Sequence, residues 1–408
     1  MNRDVYDVDG SHLLTSPAVA DLLVAATEHA GGRLVSWSLE HVDASPNQST
    51  TATYNAEVEW PYGVRRELLG VSARAGSLHA SDELAEIFFD GEREVAVWLY
   101  PRDPDLPGLE RAAYPEQMAE LVNEHHLVDR PVSADQIALT MIGYRPRRRA
   151  VLKMQVADPA RTFYVKVMRA KLFDDTLARH QLLRESPVPA PNVALATSDH
   201  LLVLDELPGR PLAKAMFDDV APCTAEDLVE TLDAMPASLA KLERRAPWTD
   251  AVAHYAGMVA RALPSEQQRL DWLTTLITSG CADAPLGDEV THGDFHEGQV
   301  HVAEGRVVGL LDIDTIGPGS RVDDLACLVA HLSTVQRMNE RQAERVHDLL
   351  RTWVPVFDLR VDPVQLRLRA AAVIISLATG PFRSQEPHWQ ASTVEILAAA
   401  EALARQVG

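Results

Sequence analysis

Residues 291–302 read THGDFHEGQVHV, with His292, Asp294, His296, Glu297 and His301 crowded into one short stretch. Two chemistries suit that density. His292, Asp294 and His296 alternate, so an extended backbone would point all three one way, as a zinc metallohydrolase would need. Such a hydrolase also needs a base or a bridging carboxylate, and no motif marks one. The other chemistry draws on the residues just downstream, where the apolar run VVGLL leads into Asp312. QVHV and RVVGLL read as a hairpin around AEG, which carries Asp312 back beside Asp294 and Gln299. Two carboxylates and an amide then converge. Phosphoryl transfer from a nucleotide uses such a trio: one acid orients a hydroxyl and accepts its proton, and oxygen ligands hold magnesium between the phosphates.

The elements that must position these residues form three groups. In residues 1–130, SPAVADLLVAATEHAGG reads as a helix, with Ser16 as a cap, Pro17 in the first turn and Gly31 at the end. The runs RLVSWSLEHV, TATYNAEVEW, RRELLGVSA and EVAVWLYP predict an antiparallel sheet against it. A proline-rich stretch from 101 to 115 predicts a rigid connector and one more helix. Residues 131–209 open with QIALTMIGY, RRAVLKMQVAD and TFYVKVMRA, an antiparallel meander whose third strand carries Lys166 near its middle. Read alone, Lys166 is an edge-strand lysine that discourages aggregation, or a ligand. A helix, FDDTLARHQLLRES, and the apolar strand HLLVLDEL come next. Residues 210–408 are mainly helical around the 291–315 segment. The expected class is α+β, with an N-terminal α+β domain (1–130), a smaller sheet lobe (131–209) and a mainly helical lobe (210–408).

At 408 residues the chain is long enough for more than one core. The net charge of -21 disfavours nucleic acid and anionic lipid as partners. No apolar run is long enough for a membrane helix. The acidic N-terminus is unlike a signal peptide, and Cys223, Cys281 and Cys327 form no CxxC pair, so the expected location is the cytoplasm. The oligomeric state stays open.

His292-Gly293-Asp294 with Gln299, then GLLDIDTIGPGSRVDDLA, resembles the aminoglycoside phosphotransferase and choline kinase group, small-molecule relatives of the protein kinases. The resemblance runs from about 135 to the C-terminus. It implies a two-lobed protein-kinase-like fold, ATP and Mg2+ as cofactors, and a hydroxyl on a small molecule as acceptor: an amino sugar, an aminoglycoside or a sugar. It implies Asp294 as catalytic base, Gln299 and Asp312 as magnesium ligands, and Lys166 as partner of the α and β phosphates. It also places Asp205, Glu206 and Leu207 at a hinge whose backbone meets adenine. In order of elements, residues 1–130 resemble the cap of maltokinases.

The sequence departs from the group's pattern in three places. Gln299 stands where Asn is usual, keeping the amide oxygen on a longer stem. The first turn of the meander, GYRPRRRAV, is not glycine-rich, so phosphates would meet Arg145, Arg147, Arg148 or Arg149, which otherwise read as a solvated hairpin tip. After Lys166 no glutamate partner stands out among Asp174, Asp175 and Glu185. A non-catalytic nucleotide-binding protein is a further alternative, although Asp294 and Asp312 are both present. His296, Glu297 and His301 read as solvated, Asp314 as a metal auxiliary or a turn former, and Asp323 and Asp324 as caps of the helix LACLVAHL. TGPFRSQEPHW, 379–389, reads as an interhelical connection.

Overall fold

The computed structural model describes residues 7–45, 47–75, 84–89, 93–184, 186–335 and 338–407. Glu185, one of the three acids considered beside Lys166, lies outside them. The principal helices are α1 (Ala20–His29), α2 (Pro115–Glu124), α3 (Ala170–Arg184), α4 (Ala225–Asp233), α5 (Val252–Ala262), α6 (Gln267–Cys281), α7 (Arg321–Ser333), α8 (Glu340–Asp358), α9 (Pro363–Leu377) and α10 (Trp389–Ala404). The class is mixed α+β with antiparallel sheets. The chain forms two compact units, one of residues 1–174, 193–205 and 383–387, the other of residues 175–192, 206–382 and 388–408. The expected boundary near 130 falls inside the first.

The first unit contains two sheets. β1 (Arg33–Ser45), β2 (Ser49–Trp60), β3 (Gly63–Ala75), β4 (Glu86–Phe89) and β5 (Arg93–Leu99) form an antiparallel sheet in the order β1-β2-β3-β5-β4. Alternation along β2 buries Ala52, Tyr54, Ala56 and Val58 in a core with Leu23 and Ala26 of α1. Ser16 does cap, but the first turn it starts is a 3-10 turn, Pro17–Val19, and the α-helix begins at Ala20. Across the β3–β5 pair, Trp98 lies opposite Gly70, and a side chain at Gly70 would meet the indole at 2.3 Å.

The second sheet holds β6 (Ile137–Arg145), β7 (Arg149–Val156), β8 (Arg161–Met168), β9 (Val193–Ala196) and β10 (Leu201–Asp205) in the order β6-β7-β8-β10-β9. The expected meander is its first three strands. The proline-rich connector is more than a spacer: Leu106, Leu109 and Ala112, with Met118 and Val122 of α2, complete the core under Leu152, Val165 and Val167. The two sheets are joined by a polar contact. Tyr144 on β6 donates its hydroxyl to Asp103 Oδ2 (2.7 Å) and accepts from Trp98 Nε1 (2.9 Å). Asp103 also accepts from the backbone amides of Arg147 (2.8 Å) and Asp105 (2.9 Å). Burial pushes the Asp103 carboxyl up, against these donors.

In the second unit the core is helical. α9 is buried along most of its length and packs on α6, α7 and α10. Short strands carry the 291–315 segment: β11 (Arg210–Pro211), β12 (Glu289–Thr291), β13 (Val300–Ala303), β14 (Arg306–Leu310) and β15 (Gly317–Gly319). β13 and β14 form the expected hairpin, turning at Glu304 and Gly305, both at positive φ. No helix among the described residues is long and apolar enough to cross a membrane.

Tyr144→Phe removes the hydroxyl that links Trp98 to Asp103 and leaves a buried donor and a buried acceptor short of a partner. The first unfolding transition in denaturant should lose about 1–3 kcal/mol. An unchanged transition would show that the link contributes nothing to the first unit.

Candidate active site

The loop bearing Asp294 is held by the start of α7. The Asp324 carboxylate, buried completely, accepts the backbone amides of His292 (2.9 Å) and Gly293 (2.8 Å) through separate oxygens. Arg321 Nη1 lies 3.1 Å from it, and Arg321 Nη2 donates to Leu232 O. Burial pushes the Asp324 carboxyl up, while Arg321, His292 and the two amides favour its charged form. Gly293 sits at φ +80°, and an added Cβ would meet Thr315 O at 2.8 Å. Only glycine allows two successive amides to converge on one carboxylate here. Thr315 Oγ1 donates to His292 O (2.8 Å), Arg245 Nη1 to Gly293 O (3.2 Å), and Phe295 is fully buried as an apolar anchor.

Asp323 and Asp324 were expected to cap α7. The N-cap is Ser320, whose side chain makes no capping bond, and the two aspartates lie in the first turn. Asp324 binds the loop and Asp323 pairs with Arg369 of α9. The capping expectation fails because Asp324's partners lie about thirty residues upstream.

The backbones of the two magnesium-ligand candidates are brought near one another by the hairpin register. Leu311 N donates to Gln299 O (2.8 Å), next to the Val300–Leu310 pair, so Gln299 faces Leu311 and Asp312 is the following residue. The strand ends at Leu310, and Asp312 takes a left-handed conformation, φ 47°, at the head of a 3-10 turn that contains Asp314. Asp314 therefore does not continue the strand face. Gln299 Nε2 lies 3.1 Å from His296 Nε2. His292 does not join Asp294 and His296 in a ligand set: its ring is fully buried, with Nε2 2.9 Å from Leu311 O. The alternating zinc triad fails because the loop curls round Gly293 instead of extending.

His296 and Glu297 were expected to be solvated, and both are largely buried. His296 stacks on His331 of α7, ring centroids 4.1 Å apart and nearly parallel. Glu297 Oε2 lies 3.7 Å from His296 Nδ1 and 3.6 Å from His331 Nδ1. The Glu297 carboxyl is lowered on balance, the two imidazoles outweighing its burial. His331, which the sequence does not single out, is pushed down to about 4 by burial and by His296. His301 is half-buried, with Nδ1 3.1 Å from Pro208 O.

The remaining candidates belong to the first unit or to the segment after β10. Lys166 sits mid-β8 between Val151 and Leu202 and is only 6% exposed. β8 lies between β7 and β10, so Lys166 is not a solvated edge lysine. In the β6–β7 turn Arg147 takes φ 59°, its guanidinium 5.1 Å from the Trp98 ring and 3.5 Å from Asp105. Arg148 is exposed, 3.2 Å from Asp43. Asp205 closes β10 and pairs with Arg161, Glu206 is exposed, and Leu207 is buried against Gly309. Asp174 and Asp175 on α3 are exposed.

A family model described as "Phosphotransferase enzyme family" matches residues 142–358, just over half of the chain. The chain belongs to that family. This phosphotransferase is therefore a small-molecule kinase. Among solved structures it is similar to aminoglycoside phosphotransferase APH(4)-Ia (13% identity, 71% of this chain and 98% of that one, TM-score 0.48). It is also similar to choline kinase from Cryptosporidium parvum Iowa II (10%, 71% and 95%, 0.46) and macrolide 2'-phosphotransferase from Brachybacterium faecium (16%, 69% and 98%, 0.41). No curated protein matches the chain.

Asp324→Asn keeps the size of the side chain but removes the charge facing Arg321 and turns an NH2 toward one of the two amides. The phosphotransferase should lose about 3–5 kcal/mol of stability in the second unit, the range for breaking a buried pair. A loss below about 1 kcal/mol would mean that the carboxylate does not hold the loop.

Proposed function

We propose that the phosphotransferase uses ATP and Mg2+ to phosphorylate a hydroxyl of a small molecule, with an amino sugar or aminoglycoside preferred and a neutral sugar next. The observation that carries this reading is the clamped loop, in which Asp324 fixes the backbone on either side of the His292–Gly293 peptide and leaves Asp294 as the next residue. A base so fixed needs no reorganisation before it meets a hydroxyl. Asp294 would hold that hydroxyl in line and take its proton late, because an alcohol is weakly acidic.

Gln299 and, one residue past its rung partner Leu311, Asp312 offer an amide oxygen and a carboxylate, a hard-oxygen donor set that suits Mg2+. Bound there, the ion would neutralise charge on the phosphates. Lys166 is assigned to the α and β phosphates on the strength of its burial in β8. Of the two turn arginines we assign phosphate contact to Arg148, whose side chain is exposed and pairs with Asp43 at the surface, since Arg147 is largely buried beside Asp105 and the Trp98 ring. The main chain at Glu206 and Leu207 would receive the adenine. Residues 1–130 would act as a cap-like accessory to the sheet lobe at 131–209, with 210–408 carrying the catalytic loop.

The preference for a cationic acceptor rests on the net charge of -21, which attracts cations at long range.

Asp294→Asn should bind nucleotide like the parent and lose turnover by two or more orders of magnitude, roughly the contribution of a positioned base. Undiminished turnover would remove Asp294 from the reaction. Asp312→Ala should abolish magnesium-dependent nucleotide binding in calorimetry; a titration that keeps its magnesium dependence would place the ion elsewhere. For the acceptor, a panel of aminoglycosides, amino sugars, neutral sugars and choline should be assayed for nucleotide consumption at low and high salt. Cationic acceptors should lead, with kcat/KM falling as salt screens charges beyond about 10 Å. A neutral sugar as best acceptor, indifferent to salt, would overturn the cationic preference and leave the phosphotransferase intact.

A further inference from the structure

α7 carries Asp324, Cys327 and His331 at helical spacings of three and four, so the three side chains share one face. Asp324 uses that face to hold the catalytic loop. The next two turns present a thiol and an imidazole, and ligand atoms of Cys327, His331 and Asp294 all lie within 4.8 Å of one another. A second group, His296, Glu297 and His331, meets the same limit and shares the imidazole. Tetrahedral coordination at about 2.0–2.3 Å separates neighbouring ligand atoms by about 3.3–3.8 Å. Within the second group, the 3.6 Å and 3.7 Å separations from Glu297 Oε2 to the two imidazole nitrogens fall in that range. They are too long for hydrogen bonds, and this buried carboxylate oxygen has no hydrogen-bond partner among the described residues.

We propose that Asp294, Cys327 and His331, with Glu297 beside the imidazole, form a binding site for a thiophilic divalent cation of the zinc and cadmium class. The site differs from the magnesium position assigned to Gln299 and Asp312 in its residues and in its chemistry. A thiolate and an imidazole favour a borderline or soft ion, while Mg2+ favours oxygen alone. Metal binding displaces the Cys327 thiol proton: the S–H bond breaks, the sulfur electron pair forms the S–metal bond, and the proton leaves to solvent.

Occupancy has a consequence that rests on the proposed role of Asp294. An ion at this site engages the carboxylate that would accept the acceptor's proton, so zinc inhibits the phosphotransferase and a chelator restores it. Binding itself does not depend on that role, and the two are measured separately.

The test is titration of the reduced, metal-free full chain with Co2+, monitored by absorption and by competition with Zn2+ and Mg2+. One Co2+ should bind per chain with a thiolate-to-cobalt charge-transfer band, Zn2+ should displace it, and excess Mg2+ should not. Cys327→Ser should abolish the band, and both Cys327→Ser and His331→Gln should weaken binding by about 100-fold or more, beyond the roughly 10–100-fold that outer-shell changes cost. Cys281→Ser, which changes a half-buried thiol on α6, should leave band and affinity as they are. A parent protein that shows no thiolate band overturns the site without recourse to any variant. So does binding that survives both Cys327→Ser and His331→Gln in folded protein. Should Co2+ bind as described while zinc leaves turnover unaffected, the site stands and the role of Asp294 as base falls.

Discussion

A single buried carboxylate fixes the loop that carries Asp294. Removing Asp324 from water costs several kcal/mol, and Arg321 alone would not offset that reliably. The two amides of His292 and Gly293 do, because each is a buried donor that would otherwise lack a partner. The dependence is mutual: the loop satisfies the carboxylate, and the carboxylate fixes the loop. It requires Gly293 to reach φ +80°, since that angle turns successive N–H groups toward one acceptor. Thr315 then closes the loop from the other side through His292 O, so the turn after Asp312 and the loop before Asp294 restrain each other.

The second constraint is register. Gln299 is set opposite Leu311, one residue before Asp312, because the β13–β14 hairpin pairs Val300 with Leu310 and extends one rung further. Asp312 then leaves the strand with a left-handed residue, a conformation that costs a non-glycine residue about 1–3 kcal/mol. The cost is tolerated where the surrounding bonds determine the backbone, as Leu311 N and Thr315 Oγ1 do here. A slip of one residue in the hairpin would point Gln299 and Leu311 to the opposite face. The proposed metal ligands thus inherit their placement from main-chain hydrogen bonds, and their own side chains need no mutual contact.

Features set by local periodicity were readable in the sequence. The meander around Lys166, the helix after it, and the hairpin between Asp294 and Asp312 all arise from alternation and turn residues. Long-range polar partners were not readable. Asp324 sits where a cap is expected, and nothing local says that its acceptor oxygens face amides thirty residues upstream. His331 looks like an ordinary polar residue near the end of a helix until the loop brings His296 over it. Arg147 reads as one of a run of arginines, and its capture by Trp98 and Asp105 depends on β5 and the connector packing beside the turn. The burial of that connector was likewise hidden, because proline-rich sequence signals a break in regular structure and says nothing of whether Leu106 and Leu109 enter a core.

The face of α7 explains why the loop and the residues beneath it behave as one body. Asp324, Cys327 and His331 occupy successive positions on a rigid helix, and the amide bonds to Asp324 prevent the loop from sliding along it. The distances from Asp294 and Glu297 to the thiol and the imidazole are therefore set by the same anchor that positions the proposed base. An ion entering there meets donors whose spacing is already fixed. It selects itself by affinity for sulfur and nitrogen, because the backbone has little freedom to rearrange around a poorer fit. The same rigidity that would let Asp294, as the proposed base, act without reorganisation leaves its carboxylate within reach of a competitor for its lone pairs, and the two properties cannot be separated without moving the loop off the helix.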